Sequence, residues 1–297
     1  MARKTISSLT LALLSQEHRV VVADWRFHVL YCRVAREHSF KLPEAAQVNA
    51  LIRKLLNAGD IEPMDSMRGV FLVTVPFAST LPVPDEAIIQ EANPFAVFSN
   101  LTAAAYHELT HTIPPEIHVT NYQDNGVRQP LGTTPDDWLD VPRPVRRTPK
   151  TVHDTRVVWS ATKPDWDFGH TIGHTQGCPF YITDLERTLL DSLRFPEKSG
   201  GIREVFHIWK QAADVLDLER LVGYVDRFNQ ALLRQRAGFL LEQLGVSHPT
   251  FDVWARRGVR GSSAKLAANR EFCSEHSERW NLSINVPTSV LNELRGA

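Results

Sequence analysis

Apolar positions near the start of the chain recur with helical spacing before they change to the two-residue spacing of a strand. The helical pattern covers about residues 6–15 and about 23–37. A third stretch begins after Leu42-Pro43 and runs to about Ala58, where Gly59 can end it. A short strand, a turn and the apolar strand Val70–Val75 follow. The pattern therefore predicts three helices and a β-hairpin.

This order of elements is that of a winged helix-turn-helix DNA-binding domain, which we predict for residues 1–78. In helix-turn-helix proteins the recognition helix enters the major groove and presents side chains to base edges. Here the third helix would be that helix, and the hairpin would be the wing. The candidate DNA contacts are polar or basic residues on the third helix, just before it and at the hairpin tip, namely Lys41, Gln47, Asn49, Arg53, Lys54 and Arg68.

The rest of the chain is predicted as a proline-containing linker, residues 79–96, and a second domain, residues 97–297. The second domain mixes helices and strands and is helical in its second half, so the predicted fold class is α+β with a mixed α/β C-terminal domain. The pattern predicts a short helix from Ser99 to His107, strands near residues 116–120, 157–160 and 171–182, and helices over about 183–194, 201–212, 217–228 and 230–244.

One segment of the predicted second domain, residues 121–156, shows neither helical nor strand periodicity. It is rich in proline, aspartate, arginine and threonine and includes the string RPVRRTPK. A stretch of this length without secondary structure is too long for an ordinary connection between elements. We therefore predict an exposed insertion.

The amino-acid composition predicts the class of protein and its cellular compartment. The 297 residues are 43% hydrophobic and 23% charged, which is ordinary for a globular protein. The net charge is -1, so any attraction to nucleic acid must be local, and residues 1–80 hold ten basic and seven acidic residues. The three cysteines form no C-x-x-C pair, and no apolar run is long enough for a membrane span, which together predict a cytoplasmic protein without membrane contact.

A possible zinc site is raised by the string HELTH, His107–His111, because H-E-x-x-H on a helix presents two histidines to one metal. Pro114 and Pro115 follow closely, and proline disfavours helix in the residue before it. The helix is therefore expected to end at or before the second histidine. We predict no metal, no cofactor and no catalysis, and a zinc-dependent hydrolase using HELTH remains the alternative.

Two further histidines, His170 and His174, have the same spacing but a glycine between them. That glycine indicates turn and strand, and residues four apart on a strand lie about 13 Å apart. A direct metal site shared by these two side chains is therefore not expected.

The most distinctive string is TDLERTLLDSLRFPEKSGG, which begins at Thr183. Asp184, Arg187 and Asp191 stand at i, i+3 and i+7, on nearly one face of the predicted helix. Two carboxylates flanking an arginine form either a structural network or a polar site. Spacing alone favours the structural interpretation, and the functional one stays open.

Three segments resemble the AbiEi-type antitoxins of type IV toxin–antitoxin systems, which also serve as transcriptional regulators. These segments are LIRKLLNAGDIEPMDSMRGVFLV, FSNLTAAAYHELTHTIPPEIHV and ITDLERTLLDSLRFPEKSGGIREVF. The third is close to the family's D-P-E-R-T-L-L-D string, with Leu185 where proline is common. In the second, the family has glycine at the position of Glu108 and usually no histidine at His111. The resemblance thus explains HELTH as a variant of a structural motif.

What this resemblance implies is a two-domain repressor and antitoxin of a phage-defence type. The winged helix would bind double-stranded DNA at repeats in its own promoter. The C-terminal domain would counter a nucleotidyltransferase-like toxin encoded beside it, without stable direct binding. The candidate residues of that antitoxin domain are Asp184, Arg187 and Asp191. A stand-alone regulator without a toxin is a further alternative.

Overall fold

The computed structural model describes residues 5–65, 67–75, 78, 82–122, 128–258 and 263–295. It is a mixed α and β structure, which confirms the α+β class. The helices are α1 Ile6–Gln16, α2 Asp24–Glu37, α3 Ala45–Ala58, α4 Asp85–Ala92, α5 Asn100–Tyr106, α6 Leu185–Arg194, α7 Ile202–Ala212, α8 Leu218–Phe228, α9 Ala231–Gln243, α10 Thr250–Gly258 and α11 Thr288–Arg295. None of the helices in these ranges combines the length and apolarity that crossing a bilayer requires.

The strands are short, with two to seven residues each. They are β1 Val21–Ala23, β2 Ile61–Pro63, β3 Val70–Val73, β4 Ala96–Phe98, β5 Ile117–Asn121, β6 Thr151–Val152, β7 Thr155–Ala161, β8 His170–Thr175, β9 Cys178–Thr183, β10 Ala264–Lys265, β11 His276–Ser277 and β12 Leu282–Ser283. Strands β10 to β12 form a small sheet in the order β10-β12-β11.

The chain divides into two compact units. The first comprises Met1–Ala96, Asn121–Trp159 and Ile172–Tyr181, and the second comprises Val97–Thr120, Ser160–Thr171 and Ile182–Ala297. The first unit therefore includes residues that the sequence pattern assigned to the second domain. The domain boundaries 1–78, 79–96 and 97–297 themselves stay a prediction.

The N-terminal segment has the order α1-β1-α2-α3-β2-β3, and its three strands form one antiparallel sheet, β1-β3-β2. Val22 pairs with Phe71 on one side of β3, and Glu62 pairs with Leu72 on the other. The three predicted helices and the hairpin are thus present. Strand β1 was missed because three residues are too few to display a period.

Local interactions define both ends of helix α3. Glu44 and Gln47 form a capping box at its start. Gly59 ends it in the left-handed conformation, with φ of 72°, as the sequence predicts. The buried positions Val48, Leu51, Ile52 and Leu55 all lie on one face and pack inward, which leaves the opposite face to solvent.

Part of the predicted linker is helix α4, and this part is not an exposed connection. Ile88 and Ile89 are completely buried, and the carboxylate of Glu91 lies in the interior with 4% of the residue exposed. Burial of this charge is possible because Arg26 binds it at 2.5 Å. Because of the prolines at the start of the segment, the sequence analysis predicted a linker instead of this packed helix.

The prediction of an exposed insertion at residues 121–156 is wrong for much of its described part. Residues Pro135–Trp138 form a 3₁₀ helix, and Leu131 and Val141 are buried. Arg33 of α2 donates two hydrogen bonds to Asp137, at 2.8 and 2.7 Å. Such bidentate pairs fix geometry as well as adding stability, so this segment is anchored to α2.

Strands β4 to β9 form a six-stranded sheet in the order β6-β7-β5-β4-β9-β8. Strands β4 and β9 run parallel, with Phe98 beside Ile182. Helix α5 follows β4 through Ser99, and helix α6 follows β9 through Asp184. The two helices therefore start after equivalent ends of neighbouring parallel strands.

The helical half of the second unit closely follows the predicted pattern. Helices α6 to α9 lie within two residues of the expected bounds, and they bury residues such as Leu190, Trp209 and Leu240 completely. Gly238 of α9 faces Trp280 so closely that any added Cβ would overlap the indole ring. Helix α10 was not predicted, since the last fifty residues read as mixed and polar.

Candidate nucleic-acid interface

The outward face of α3 carries the basic side chains that the sequence singled out. Arg53 and Lys54 are exposed, whereas their neighbours Ile52 and Leu55 are buried. Each basic group can extend into solvent because the apolar side of the helix fixes its orientation. The arrangement offers two positive charges on an anchored helix.

Gln47, another predicted DNA contact, has a local structural role in this fold. Its side-chain oxygen accepts a hydrogen bond of 2.5 Å from the backbone N–H of Glu44. That bond satisfies a backbone donor at the start of α3. Sequence reasoning missed the role because Glu44 is an uncommon N-terminal cap. The Gln47 side chain is exposed, but its oxygen is already engaged in this hydrogen bond.

Asn49 and Arg68 line one open groove, of about 730 Å³, between α3 and the β2–β3 turn. The groove also contains Ile52 and Phe71, which give it an apolar floor, and Arg147 from the segment predicted as an insertion. The structure thus brings two of the six predicted contacts together. Lys41, Gln47, Arg53 and Lys54 lie outside this lining and are exposed.

The turn between β2 and β3 is fixed to the start of α2. The carbonyl of Gly69 accepts a hydrogen bond of 2.9 Å from the N–H of Asp24. The Asp24 carboxylate in turn binds Arg147 at 2.5 Å. Gly69 has φ of 80°, and a Cβ there would lie 2.6 Å from Arg147 and 2.7 Å from Asp24. The positive φ therefore favours glycine at this position, and an added Cβ would also displace the ends of the Arg147 and Asp24 side chains.

We call residues 141–150 the basic arm, since VPRPVRRTPK contains four basic residues and no acidic one. Arg143, Arg146 and Lys150 are exposed. Arg146 donates to the carbonyl of Tyr122 at 3.0 Å, and Arg143 lies over the ring of Trp138. The sequence shows this run of positive charge, but nothing in the pattern gives its position beside α2 and α3.

Arg19, which follows α1, and the arginines of α2 contribute little to any exposed charge. Ion pairs join Arg19 to Glu17, Arg26 to Glu91, Arg33 to Asp137 and Arg36 to Asp140. These four arginines are therefore neutralised within the first unit. The other described basic residues in the range 1–80 are Lys41, Arg53, Lys54 and Arg68, and all four are exposed.

The second predicted site, Asp184, Arg187 and Asp191, is a buried network around Arg187, of which 1% is exposed. Its Nε donates to Asp191 at 2.9 Å, and its Nη1 donates to the carbonyls of Trp166 and Phe168 at 2.8 and 2.7 Å. The guanidinium also lies over the rings of Phe168 and Phe228.

Asp184 caps helix α6 and extends the network to α8. One carboxylate oxygen accepts from the N–H of Arg187 at 2.8 Å, and the other accepts from the hydroxyl of Tyr224 at 2.7 Å. Burial, together with this hydrogen bond, raises the pKa of Tyr224. Asp191 also binds Arg194 at 2.6 Å. The geometry is that of a satisfied polar core, and the three residues hold the fold together.

The HELTH segment does not lie on one helix. Helix α5 ends at Tyr106, and Glu108 has a left-handed φ of 59°. His107 Nε2 lies 2.7 Å from the carbonyl oxygen of Thr183, so that ring nitrogen is already engaged. His170 and His174 lie on β8 as predicted. Across the described part of the chain, no group of three or more metal-ligating side chains is placed to hold an ion.

Comparison with known proteins shows a fold relationship. No family model matches the chain, and no curated protein matches it. The crystal structure of the RV2827C protein from Mycobacterium tuberculosis is similar, with a TM-score of 0.51 over 99% of this chain and 96% of that chain. The sequence identity is 14%, so this likeness shows the fold alone.

Proposed function

We propose that the protein is a transcriptional repressor that binds double-stranded DNA through a winged helix formed by residues 1–78. The observation that carries the proposal is the exposed basic face of α3, with Arg53 and Lys54, beside the β2–β3 turn with Arg68. The order α1-β1-α2-α3-β2-β3 and the three-stranded sheet support it. Helix α3 would enter the major groove, and the turn would act as the wing.

Each exposed residue suits a particular part of such an interface. Arg53, Lys54 and Lys41 would neutralise phosphates, which gives affinity that falls with salt. Asn49 lies in the groove between α3 and the turn, and an amide can bind the edge of an adenine with two hydrogen bonds. Gln47 would contribute less, because its oxygen already caps the helix.

We further propose that the protein acts as an antitoxin toward a nucleotidyltransferase-like toxin. This role is supported by the resemblance of three segments to AbiEi-type antitoxins. The most specific of these segments is ITDLERTLLDSLRFPEKSGGIREVF. In that segment Asp184, Arg187 and Asp191 stabilise the second unit, so we assign them to the fold rather than to a contact surface. Stable toxin binding is not expected.

The alternative of a zinc-dependent hydrolase has less support. A catalytic zinc needs three protein ligands, and H-E-x-x-H supplies two of them only when both histidines lie on one helix face. Helix α5 ends before His107, and that histidine lies against the carbonyl of Thr183. The other alternative, a regulator without a toxin, shares the same DNA interface and differs only in the neighbouring gene.

A fluorescence-anisotropy titration tests the proposal. The probe is a duplex from the region upstream of the protein's own operon, and the control is a scrambled duplex of equal length and composition. Preferential binding that weakens as salt rises is expected, because phosphate contacts release counterions. Equal affinity for the two duplexes would contradict a repressor. Metal analysis of protein purified without added zinc tests the hydrolase alternative separately.

A further inference from the structure

The basic arm concentrates positive charge on one short segment. Its four basic residues have no acidic neighbour within residues 141–150, and Arg143, Arg146 and Lys150 are exposed. Like charges in sequence repel one another, and a cluster of this kind attracts a polyanion. By comparison, α3 alone offers only two exposed basic side chains, Arg53 and Lys54.

The arm is held in place along its length. Val141 and Pro144 are buried, and the N–H of Arg147 donates to the carbonyl of Ala92 at 3.0 Å. The Arg147 side chain binds Asp24 at the start of α2. Three prolines further restrict the backbone of this segment. Charges on such an ordered segment bind a ligand with a smaller loss of conformational entropy than charges on a loose tail.

The arm also runs beside α3. Residues 147–149 line the groove that contains Asn49 and Ile52. A second open groove, of about 190 Å³, lies between Val141–Val145 of the arm and α3, and Asn49 and Ile52 line this groove too. The arm therefore follows the flank of the helix for which we propose a place in the major groove.

We propose that the basic arm is a second DNA-contacting element, which binds the phosphate backbone of the duplex beside α3. This inference rests on the proposed function, since it takes α3 to be the recognition helix. Phosphate contacts fix position and add affinity but do not read bases. Arg143 and Arg146 therefore contribute to affinity and salt dependence, while sequence preference resides on α3 and the β2–β3 turn.

Charge-removal variants of the full chain test this assignment. We compare R143A/R146A on the arm, R53A/K54A on α3 and R256A/R257A, which removes two exposed charges from α10. Each is titrated against the upstream duplex and its scrambled counterpart at several salt concentrations. The arm variant is expected to lose affinity for both duplexes by the same factor. Its log affinity should fall less steeply with log salt, by about 0.9 for each phosphate that the variant no longer neutralises.

The possible outcomes separate the two proposals. If the arm variant behaves like the α10 control while the α3 variant weakens binding, the arm has no role and the proposed function stands. If the wild-type protein does not prefer the upstream duplex, both proposals fall. Thermal unfolding identifies any variant that has lost its fold.

A charge-preserving variant distinguishes phosphate binding from packing, because Arg143 also lies over Trp138. R143K/R146K keeps both positive charges and is expected to restore the salt slope. A lysine variant as defective as the alanine variant would show that the effect is not electrostatic, and it would overturn the proposal.

Discussion

Charged side chains serve opposite purposes in two regions of this protein. In the second unit, Arg187 and Asp191 are buried, and Arg187 donates hydrogen bonds to Asp191 and to the carbonyls of Trp166 and Phe168. On α3 and the basic arm of the first unit, Arg53, Lys54 and Arg146 extend into solvent. Removing one partner of a buried ion pair strongly destabilises a fold, whereas a cluster of exposed like charges attracts an oppositely charged ligand. We therefore interpret the first of these regions as structural and propose a role in recognition for the second.

Removing the central charge of the buried network should have the largest effect. Arg187→Met leaves the buried Asp191 with Arg194 as its one ionic partner among the described residues, and it frees two carbonyl acceptors. We expect the free energy of unfolding to fall by about 3–5 kcal/mol. Chemical denaturation followed by circular dichroism measures this. The double variant Arg187→Met with Asp191→Leu should recover part of the loss, and a single variant with wild-type stability would contradict the structural assignment.

The turn beside α3 should be the next most sensitive feature. Gly69→Ala places a side chain at a φ of 80° and against Arg147 and Asp24. We expect a loss of about 2 kcal/mol in the free energy of unfolding, from strain and crowding together. Gly177→Ala is the matched control, because its φ is 79° and a Cβ there meets nothing within 4 Å. Equal losses for the two variants would mean that the close packing around Gly69 has no energetic effect.

Truncation of the exposed charges on α3 should change binding and not stability. For R53A/K54A we expect about ten-fold weaker binding to the upstream duplex and a shallower salt slope, because up to two phosphates are no longer neutralised. Unfolding curves should superimpose on those of the wild type. Full affinity in this variant, or a large loss of stability, would contradict the proposal that the charges on α3 bind DNA and do not stabilise the fold.

The smallest predicted effect is pH-dependent and concerns Asp137. Burial would raise the pKa of this carboxyl, but hydrogen bonds from Arg33 and Thr134 outweigh burial and lower it below the ordinary 3.8. A lowered pKa in the folded state stabilises above pH 3.8, and this contribution disappears as the pH falls through the folded-state pKa. Asp137→Asn should therefore lower the free energy of unfolding by about 1 kcal/mol at pH 7.

Denaturation curves at pH 7 and at progressively lower pH compare this variant with the wild type. The difference in stability should shrink as wild-type Asp137 becomes protonated. A difference that stays constant as the pH falls well below the ordinary pKa of 3.8 would show that the charge of Asp137 does not matter.

Sequence analysis correctly predicted the elements that a long run of regularly spaced apolar residues or a local terminator marks. Helices α6 to α9 and the stop of α3 at Gly59 were predicted because apolar spacing and a glycine terminator mark them directly. Helix α4 was missed because prolines precede it and also because its polar residues Gln90 and Glu91 are buried. Burial of Glu91 depends on Arg26, which lies far away in the chain. Periodicity cannot register partners of that kind.

The same limit applies to the candidate interface. Spacing placed Arg53 and Lys54 on the outer face of α3, but it gave Gln47 a DNA contact where the structure gives it a cap. The basic arm could be noticed only as a string of charges. Its place beside α3 depends on long-range pairs such as Arg147 with Asp24, separated by 123 residues.

Hydrogen–deuterium exchange with and without the upstream duplex tests the central claim most directly, because it reports on both regions in one experiment. The account predicts that the duplex slows exchange in α3, Ala45–Ala58, and around the β2–β3 turn, with no change in α6, Leu185–Arg194. Protection confined to the second unit, or no protection with the duplex in excess, would contradict the assignment of recognition to α3.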